Sequence, residues 1–364
     1  MRKRVCWIMS VVCLTIFCLA GSLGAVVYRY QDLSLQGLTF TGAKYIKAIN
    51  DSAWIVGYYY NSSSNNDQPF VWRPGVGRTN LQNPGYSLQA YAYGINNQGQ
   101  IVGQAFISGL GFDAAYWSSP AAAPAALPTT GSSMYENCAY GINEAGQVAG
   151  EGQFGYPAPT LAVLWPANHS TGTNLGTLGG STSSGKSINS AGWVVGEADN
   201  DADPSGRHAC LWIPGQQPQQ IPLPESPFSS SASVINDQGN VLGSGFLGLG
   251  GGQAFFYDRQ TGTAQYILPG TYSTMANSMS DANQVVGWYE FMWPNYSSGV
   301  FYWTPSGGKK DLNEMVINLP PGVKLTSADA ISRNGKYITG VDSQGHVYLL
   351  TASAYVPMSL LLMD

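Results

Sequence analysis

This sequence has little charge. Only 10% of its 364 residues are Asp, Glu, Lys or Arg, against about 25% in an ordinary globular protein. The net charge of −5 is mild and no basic stripe occurs, which argues against nucleic acid as a partner. There are three histidines, His169, His208 and His346, and none has the local spacing to other ligands that a zinc site needs. Gly-x-Ser-x-Gly is absent, and the glycine-rich run 248–252 lacks the Lys-Ser/Thr of a phosphate loop. Sustained 3.6-residue periodicity is missing, so helices are not expected. After the N-terminal segment no apolar run approaches a transmembrane length.

Cysteine is scarce too, and three of the five (Cys6, Cys13, Cys18) lie in that N-terminal segment. The segment itself reads as a secretory signal over 1–25. Arg2, Lys3 and Arg4 precede an apolar run from Val5 to about Ala20, followed by the small residues Gly21, Ser22, Gly24 and Ala25. An uncleaved anchor is the alternative, but the run is short for a spanning helix. Cys138 and Cys210 remain at different slots of the chain. A disulfide between them is open, and two buried thiols is the plainer expectation.

What the chain has instead is glycine (45), tyrosine (22) and tryptophan (10), a composition that favours β-structure. It also has a repeat. The phrase AINDSAWIVG at 48–57 returns as GINNQGQIVG, GINEAGQVAG, SINSAGWVVG, VINDQGNVLG and SMSDANQVVG, and more weakly as AISRNGKYIT at 330–339. Its second residue falls at 49, 95, 142, 188, 235, 279 and 331, at spacings of 46, 47, 46, 47, 44 and 52. Each phrase reads as a β-hairpin. Asn opens a turn with its side chain, and a residue with positive φ follows three positions later. That slot holds Gly99, Gly146, Gly192, Gly239 and Gly335, with Asn283 in the sixth copy and Ala53 as the one misfit. A third strand ends in Trp72, Trp117, Trp165, Trp212, Tyr257 or Trp303. One aromatic per repeat suits packing between units better than a ligand site. A fourth strand carries Leu81, Leu127, Leu175, Ile221, Ile267 and Leu312.

Four strands per 46-residue unit suit the blades of a β-propeller better than an open solenoid. The expectation is an all-β, seven-bladed propeller in one domain over 26–364. The seventh copy lacks a fourth strand, and Tyr28 to Leu33 matches the register of Lys310-Asp311-Leu312. An N-terminal strand completing the last blade would close the ring and remove both exposed edges.

The set of motifs resembles the bacterial extracellular HAF repeat family. The Ile-Asn-x-x-Gly-Gln-Val-Val-Gly phrase is followed by His208-Ala209-Cys210-Leu211-Trp212, by Gln253-Ala254-Phe255-Phe256, and once by Leu175-Gly176-Thr177-Leu178-Gly179-Gly180. The resemblance spans essentially the whole chain after the signal. It implies a secreted or surface protein of bacterial type and transfers no catalytic residues. A Pro-Glu-Pro sorting end is not matched by Val356-Pro357-Met358.

Candidate sites lie in the loops between second and third strands. Tyr59 and Tyr60 in the first copy, and Trp288, Tyr289, Phe291, Trp293 and Tyr296 in the sixth, place aromatics beside Asn, Ser and Asp. Such rings stack on sugar faces or anchor protein partners. Tyr58 and Trp288, directly after the closing glycine, are also candidates for the core. Asp199, Asp201 and Asp203 alternate like the start of a calcium loop, but Pro204 stands where such a loop needs Gly. No other cofactor is expected. The leading expectation is a secreted, monomeric, non-enzymatic propeller binding a glycan or a protein. A carbohydrate-active hydrolase or lyase using acids among Glu151, Glu197, Asp281 and Glu290, and a purely structural surface protein, are the alternatives.

Overall fold

The structure is a computed structural model that describes residues 26–40, 42–83, 89–107, 111–129, 137–155, 158–248, 251–292 and 296–354. The expected signal, 1–25, and Trp293 lie outside them. Seven four-stranded antiparallel sheets are present. Among the described residues the helical pieces are two single 3-10 turns, Ser34–Gln36 and Asn313–Met315. The chain is a seven-bladed β-propeller. The inner strands of blades 1 to 7 are Lys44–Ile49, Ala90–Ile95, Cys138–Ile142, Ser183–Ile188, Ser229–Ile235, Ser273–Met279 and Ala330–Ile331.

The last sheet is closed by the N-terminus. Strand Val26–Asp32 pairs with Val347–Ala354 over its full length, with Val26 opposite Ala354 and Asp32 opposite Tyr348. It takes the place that Gly308–Asp311 holds in blade 6. Asp32 and Asp311 each accept a hydrogen bond from the backbone N–H two residues on, and Leu33 and Leu312 are both fully buried. Both ends of this seam, Val26 and Ala354, lie on the same side of the ring as the Asn-type hairpin turns, because Thr351 pairs with Tyr337 next to such a turn.

The spacing of 52 before the seventh phrase accommodates a cover for this seam. Ile317 N–H donates to the Tyr28 carbonyl at 3.1 Å. The Asn318 carboxamide both accepts from Tyr30 N–H at 2.7 Å and donates to Tyr30 O at 3.0 Å. An otherwise open strand edge is thereby satisfied.

The repeated Asn does two jobs. Within its own turn, Asn50 Oδ1 accepts from the N–H groups of Ser52 and Trp54. Its Nδ2 then donates to the main-chain carbonyl of the equivalent Asn one blade on. The distances are 3.0 Å for Asn50 to Asn96, 3.1 Å for Asn96 to Asn143 and 2.9 Å for Asn143 to Asn189. Asn189 reaches Asn236 at 3.2 Å and Asn236 reaches Ser280 at 3.3 Å. Blades 6 and 7 carry Ser280 and Ser332, which have no amide to pass on. There Asp281 N–H donates to Arg333 O, and Asn334 N–H donates to Asp51 Oδ1, which completes the circle. The Arg333 guanidinium also bonds Asp237, Asp281 and the Ile188 carbonyl.

The positive-φ slot behaves as its residues require. Gly99 has φ +77°, and Asn283 and the misfit Ala53 adopt the same left-handed conformation at +59° and +61°. The closing glycine has a different reason. A Cβ on Gly103 would collide with the main-chain oxygen of Tyr91 on the inner strand. The seventh phrase differs from the expected frame. Its turn is one residue longer, with Ser332 N–H bonding Tyr337 O where Asn50 bonds Trp54 O. The glycine facing the inner strand is therefore Gly340 rather than position 339, which accounts for the weakness of that copy.

The third-strand aromatics are scaffold. Trp117 and Trp165 are fully buried. Their Nε1 groups donate to Gln82 O at 2.9 Å and Pro128 O at 2.8 Å, on the connections from the preceding blades. Cys138 and Cys210 are both buried thiols, and no disulfide joins them.

Asn143→Ala removes a buried donor and the cap of its own turn and is expected to lower unfolding free energy by about 2 kcal/mol. Gly99→Ala combines left-handed strain with a Cβ 2.6 Å from the Trp54 ring and is expected to cost about 2–4 kcal/mol. Urea denaturation of both variants reads these losses as lower midpoints.

Candidate functional site

The loops between second and third strands share one face of the ring with the connections between blades. This loop face lies opposite the Asn-type turns. In six blades the pairing register slips by one residue in the inner strand, as between Ile46 and Ala48. The slip leaves one bulge residue per blade on the central channel. These are Lys47, Tyr93, Tyr140, Lys186, Ser233 and Asn277, and Asp329 holds the corresponding position in blade 7. The position repeats while the residue does not.

The tyrosines at and beside this slot make a continuous track over blades 1 to 3. Tyr45 stacks on Tyr58 with centroids 4.8 Å apart, and Tyr58 meets Tyr91 edge-on at 4.8 Å. Tyr91 lies parallel to Tyr93 at 6.1 Å, and Tyr93 approaches Tyr140 at 5.6 Å. Beyond them the Lys186 ammonium sits 4.2 Å from the Tyr140 ring, and the Tyr140 hydroxyl donates to Glu151 at 2.8 Å. At the loop-face end the track widens into a cavity of about 590 Å³ lined by Tyr45, Tyr58, Tyr60, Tyr91, Tyr93 and Phe112. Asp67 and Gln104 supply its polar groups. Tyr45 is 46% and Tyr60 39% exposed.

Burial sets the electrostatics of the track. It holds the hydroxyls of Tyr58, Tyr93 and Tyr140 above the usual tyrosine range, so they stay neutral. Lys47, whose ammonium lies 5.6 Å from the Tyr58 ring, is lowered by burial against the opposing pull of Asp329. Asp329 is pushed up to about 6 by burial, opposed by the Ser327 hydroxyl and by Lys47.

The expected aromatic residues divide. Tyr60 lines the cavity. Tyr59 does not: it is 4% exposed, packs on Phe40 at 5.0 Å and carries the Arg78 guanidinium over its ring. The two-residue period of the strand is the reason. It turns Tyr58 and Tyr60 to one face and Tyr59 to the other, so Tyr58, a candidate for the core, lines the site instead. Trp288 and Tyr289 line a second cavity of about 560 Å³ with Glu290, Lys324, Ser327 and Ser343. Phe291 meets Tyr289 edge-on at 5.5 Å, and Tyr296 is 70% exposed. The first and sixth loops therefore form two cavities, one at blades 1 and 2 and one at blades 6 and 7.

Tyr45, Tyr91, Tyr93 and Tyr140 escaped the sequence reading. The signal was available: tyrosine stands two or four residues before the phrase's Ile in copies 1 to 3, where the other copies carry other residues.

The acids are engaged with separate neighbours. Glu151 pairs with Tyr140 and Lys186, Glu197 with Arg207, and Asp281 lies in a hairpin turn with Arg333 on the opposite face. Asp199 accepts from Ser181 and Thr182 and faces Arg207, while Asp203 pairs with His208 at 3.5 Å. Asp201 is exposed. Among the described residues no group of three acidic, His or Cys side chains is placed to hold a metal ion. His169 bonds the Gly146 carbonyl and His346 pairs with Asp32 at 3.0 Å.

No family model and no curated protein matches this chain. Solved structures do. The β-propeller domain of the Trilobed protease from Pyrococcus furiosus, described as having an open velcro topology, matches at TM-score 0.54 and 11% identity, over 90% of this chain and 99% of that one. A puromycin hydrolase matches at TM-score 0.53 and 12% identity, over 90% and 55%. The Pyrococcus horikoshii acylaminoacyl peptidase matches at 0.50 and 11%, over 88% and 53%. The chain thus spans about half the length of the latter two. At these identities the likeness is one of fold.

Asp329 makes stability depend on pH with a defined sign. Its folded value lies above the ordinary 3.8, so the folded chain keeps a proton that the unfolded chain releases between about pH 4 and 6. Stability falls as pH rises through that window. Asp329→Asn is expected to raise Tm at pH 7.5 by a few degrees (~2–4 °C), with the gain vanishing near pH 4. Scanning calorimetry at the two pH values checks both parts.

Proposed function

We propose that this chain is an exported, monomeric, non-enzymatic propeller that binds a glycan along the tyrosine track of blades 1 to 3. The observation that carries this reading is the cavity of about 590 Å³ with two partly exposed tyrosines, Tyr45 and Tyr60, beside Asp67 and Gln104. Flat rings offer stacking surfaces to the apolar faces of sugar rings, and a few fixed polar groups select hydroxyl geometry. The length of the track suits a chain of sugars rather than a single one. The N-terminal signal and the resemblance to bacterial extracellular HAF repeats support export.

The enzyme reading has less support. Glu151 faces Lys186, Glu197 shares Arg207 with Asp199, and Asp281 shares Arg333 with Asp237, so each is held by a cation, whereas a glycosidase needs two carboxyl groups facing one bond.

Affinity electrophoresis through gels containing xylan, alginate, dextran or hydroxyethyl cellulose tests the proposal. At least one polysaccharide is expected to retard the native protein. The Tyr45→Ala/Tyr60→Ala variant is expected to bind it about tenfold more weakly, the equivalent of two modest stacking contacts. Retardation by none of them, or equal retardation of the variant, overturns the assignment.

A further inference from the structure

The cavity at blades 1 and 2 carries charge of one sign. Among the described residues that line it, Asp67 alone is charged. Asp67 pairs directly with Tyr60 across the strands, so the two share one face of the sheet. Its carboxylate accepts the Tyr91 hydroxyl at 3.3 Å, and among the described residues no Lys or Arg pairs with it. Asp113, next to Phe112, puts a second carboxylate at the same end of blade 2, where it accepts from Ile107 N–H.

The surrounding cations are few and each is placed. Residues 79–185, which include the whole of blades 2 and 3, contain no Lys or Arg. His169 in that stretch bonds the Gly146 carbonyl in a hairpin turn, on the opposite face. Blade 1 supplies Lys44, Lys47, Arg73 and Arg78. Lys44 pairs with Tyr59 and, like Arg78, lies over the Phe40 ring, on the side of the blade turned away from Tyr58 and Tyr60. Arg73 covers Trp54 at the hairpin turn. Lys47 comes closer: its ammonium lies 5.8 Å from the Tyr45 ring and 5.6 Å from Tyr58. It points from the channel, and Asp329 opposes its charge, each favouring the ionised form of the other. Lys186, at the far end of the track, pairs with Glu151 at 3.8 Å. With these two pairs balanced, Asp67 is the charge left facing the cavity.

The rings have the same preference. A cation is drawn to the electron-rich face of a tyrosine or phenylalanine. Lys47 shows this for Tyr45 and Tyr58, and among the described residues no Lys or Arg lies over Tyr60, Tyr93 or Phe112. An aromatic box with one carboxylate matches an ammonium group, whereas a uronic acid would set its own carboxylate against Asp67.

We infer that the saccharide taken by this cavity is an amino sugar, whose ammonium group sits among the tyrosine rings beside Asp67. The inference rests on the glycan reading above and names the class of sugar.

Calorimetric titration at pH 6.5 with the β-1,4-linked hexamer of glucosamine, and with its N-acetylated counterpart, tests it. The two differ in charge on one backbone. The glucosamine hexamer is expected to bind about tenfold more tightly or better. Asp67→Asn should cut that ratio to about twofold or less. Asp258→Asn, which removes one negative charge from a turn of blade 5, should leave the ratio as it is and so excludes a general effect of net charge. Equal binding of the two hexamers, tighter binding of the acetylated one, or a ratio that survives Asp67→Asn or falls equally in Asp258→Asn overturns the inference and leaves the glycan reading in place. No binding of either hexamer, with retardation in one of the polysaccharide gels, also overturns the inference alone. No binding in either assay overturns both.

Discussion

The rest of the ring depends on a buried carboxamide. A side chain such as Asn143 has no water to bond with, so each of its polar atoms must find a protein partner or cost stability. It finds them on two blades at once: its oxygen is held by its own turn, its nitrogen by the next blade's main chain. Intra-blade geometry and inter-blade spacing are thereby set by one residue. No shorter or apolar side chain can serve both, which is why Ile-Asn persists through five copies while the sequence around it drifts. Where serine replaces it in the last two blades, the link passes to main-chain and ionic contacts around Arg333.

That rigid frame separates positions that must repeat from positions that are free to vary. The closing glycine is fixed by the collision a Cβ would cause, and the third-strand tryptophan by the wedge it fills between blades. The bulge slot is fixed only in its placement. A bulge re-aims one side chain without asking what that side chain is. Six such slots, with Asp329 in the equivalent place in blade 7, display Lys, Tyr, Ser, Asn and Asp on one channel, and the aromatic ones adjoin on blades 2 and 3.

Architecture was legible in the sequence because it is written seven times. Repeats disclosed the blade number, the turn residues and the strand Tyr28 to Leu33 that closes the ring, since each feature has six equivalents to be compared with. The candidate site was only half legible for the opposite reason. Tyr60 stood out as part of a loop, whereas Tyr45, Tyr91, Tyr93 and Tyr140 lie on different blades and meet only when the inner strands are brought side by side. Tyr59 misled because three consecutive tyrosines look alike in a sequence, although a strand turns the middle one inward. The extra residue in the seventh turn was hidden too, because Thr339 occupies the frame position that Gly340 takes in space.

The seam between Val26–Asp32 and Val347–Ala354 also has a mechanical meaning. Its outer ends, Val26 and Ala354, lie side by side, so tension applied at both pulls the antiparallel pair apart in zipper geometry. Hydrogen bonds are then loaded one after another, from Val26 and Ala354 inward, and never all together. Attachment at one end alone puts no such load on the seam. The cover formed by Ile317 and Asn318 bonds the strand at Tyr28 and Tyr30, two and four residues in from the point where peeling starts. It therefore acts as a stop on the strand most exposed to force, and the longest spacing in the repeat is the one that reinforces the place where the circle can come undone.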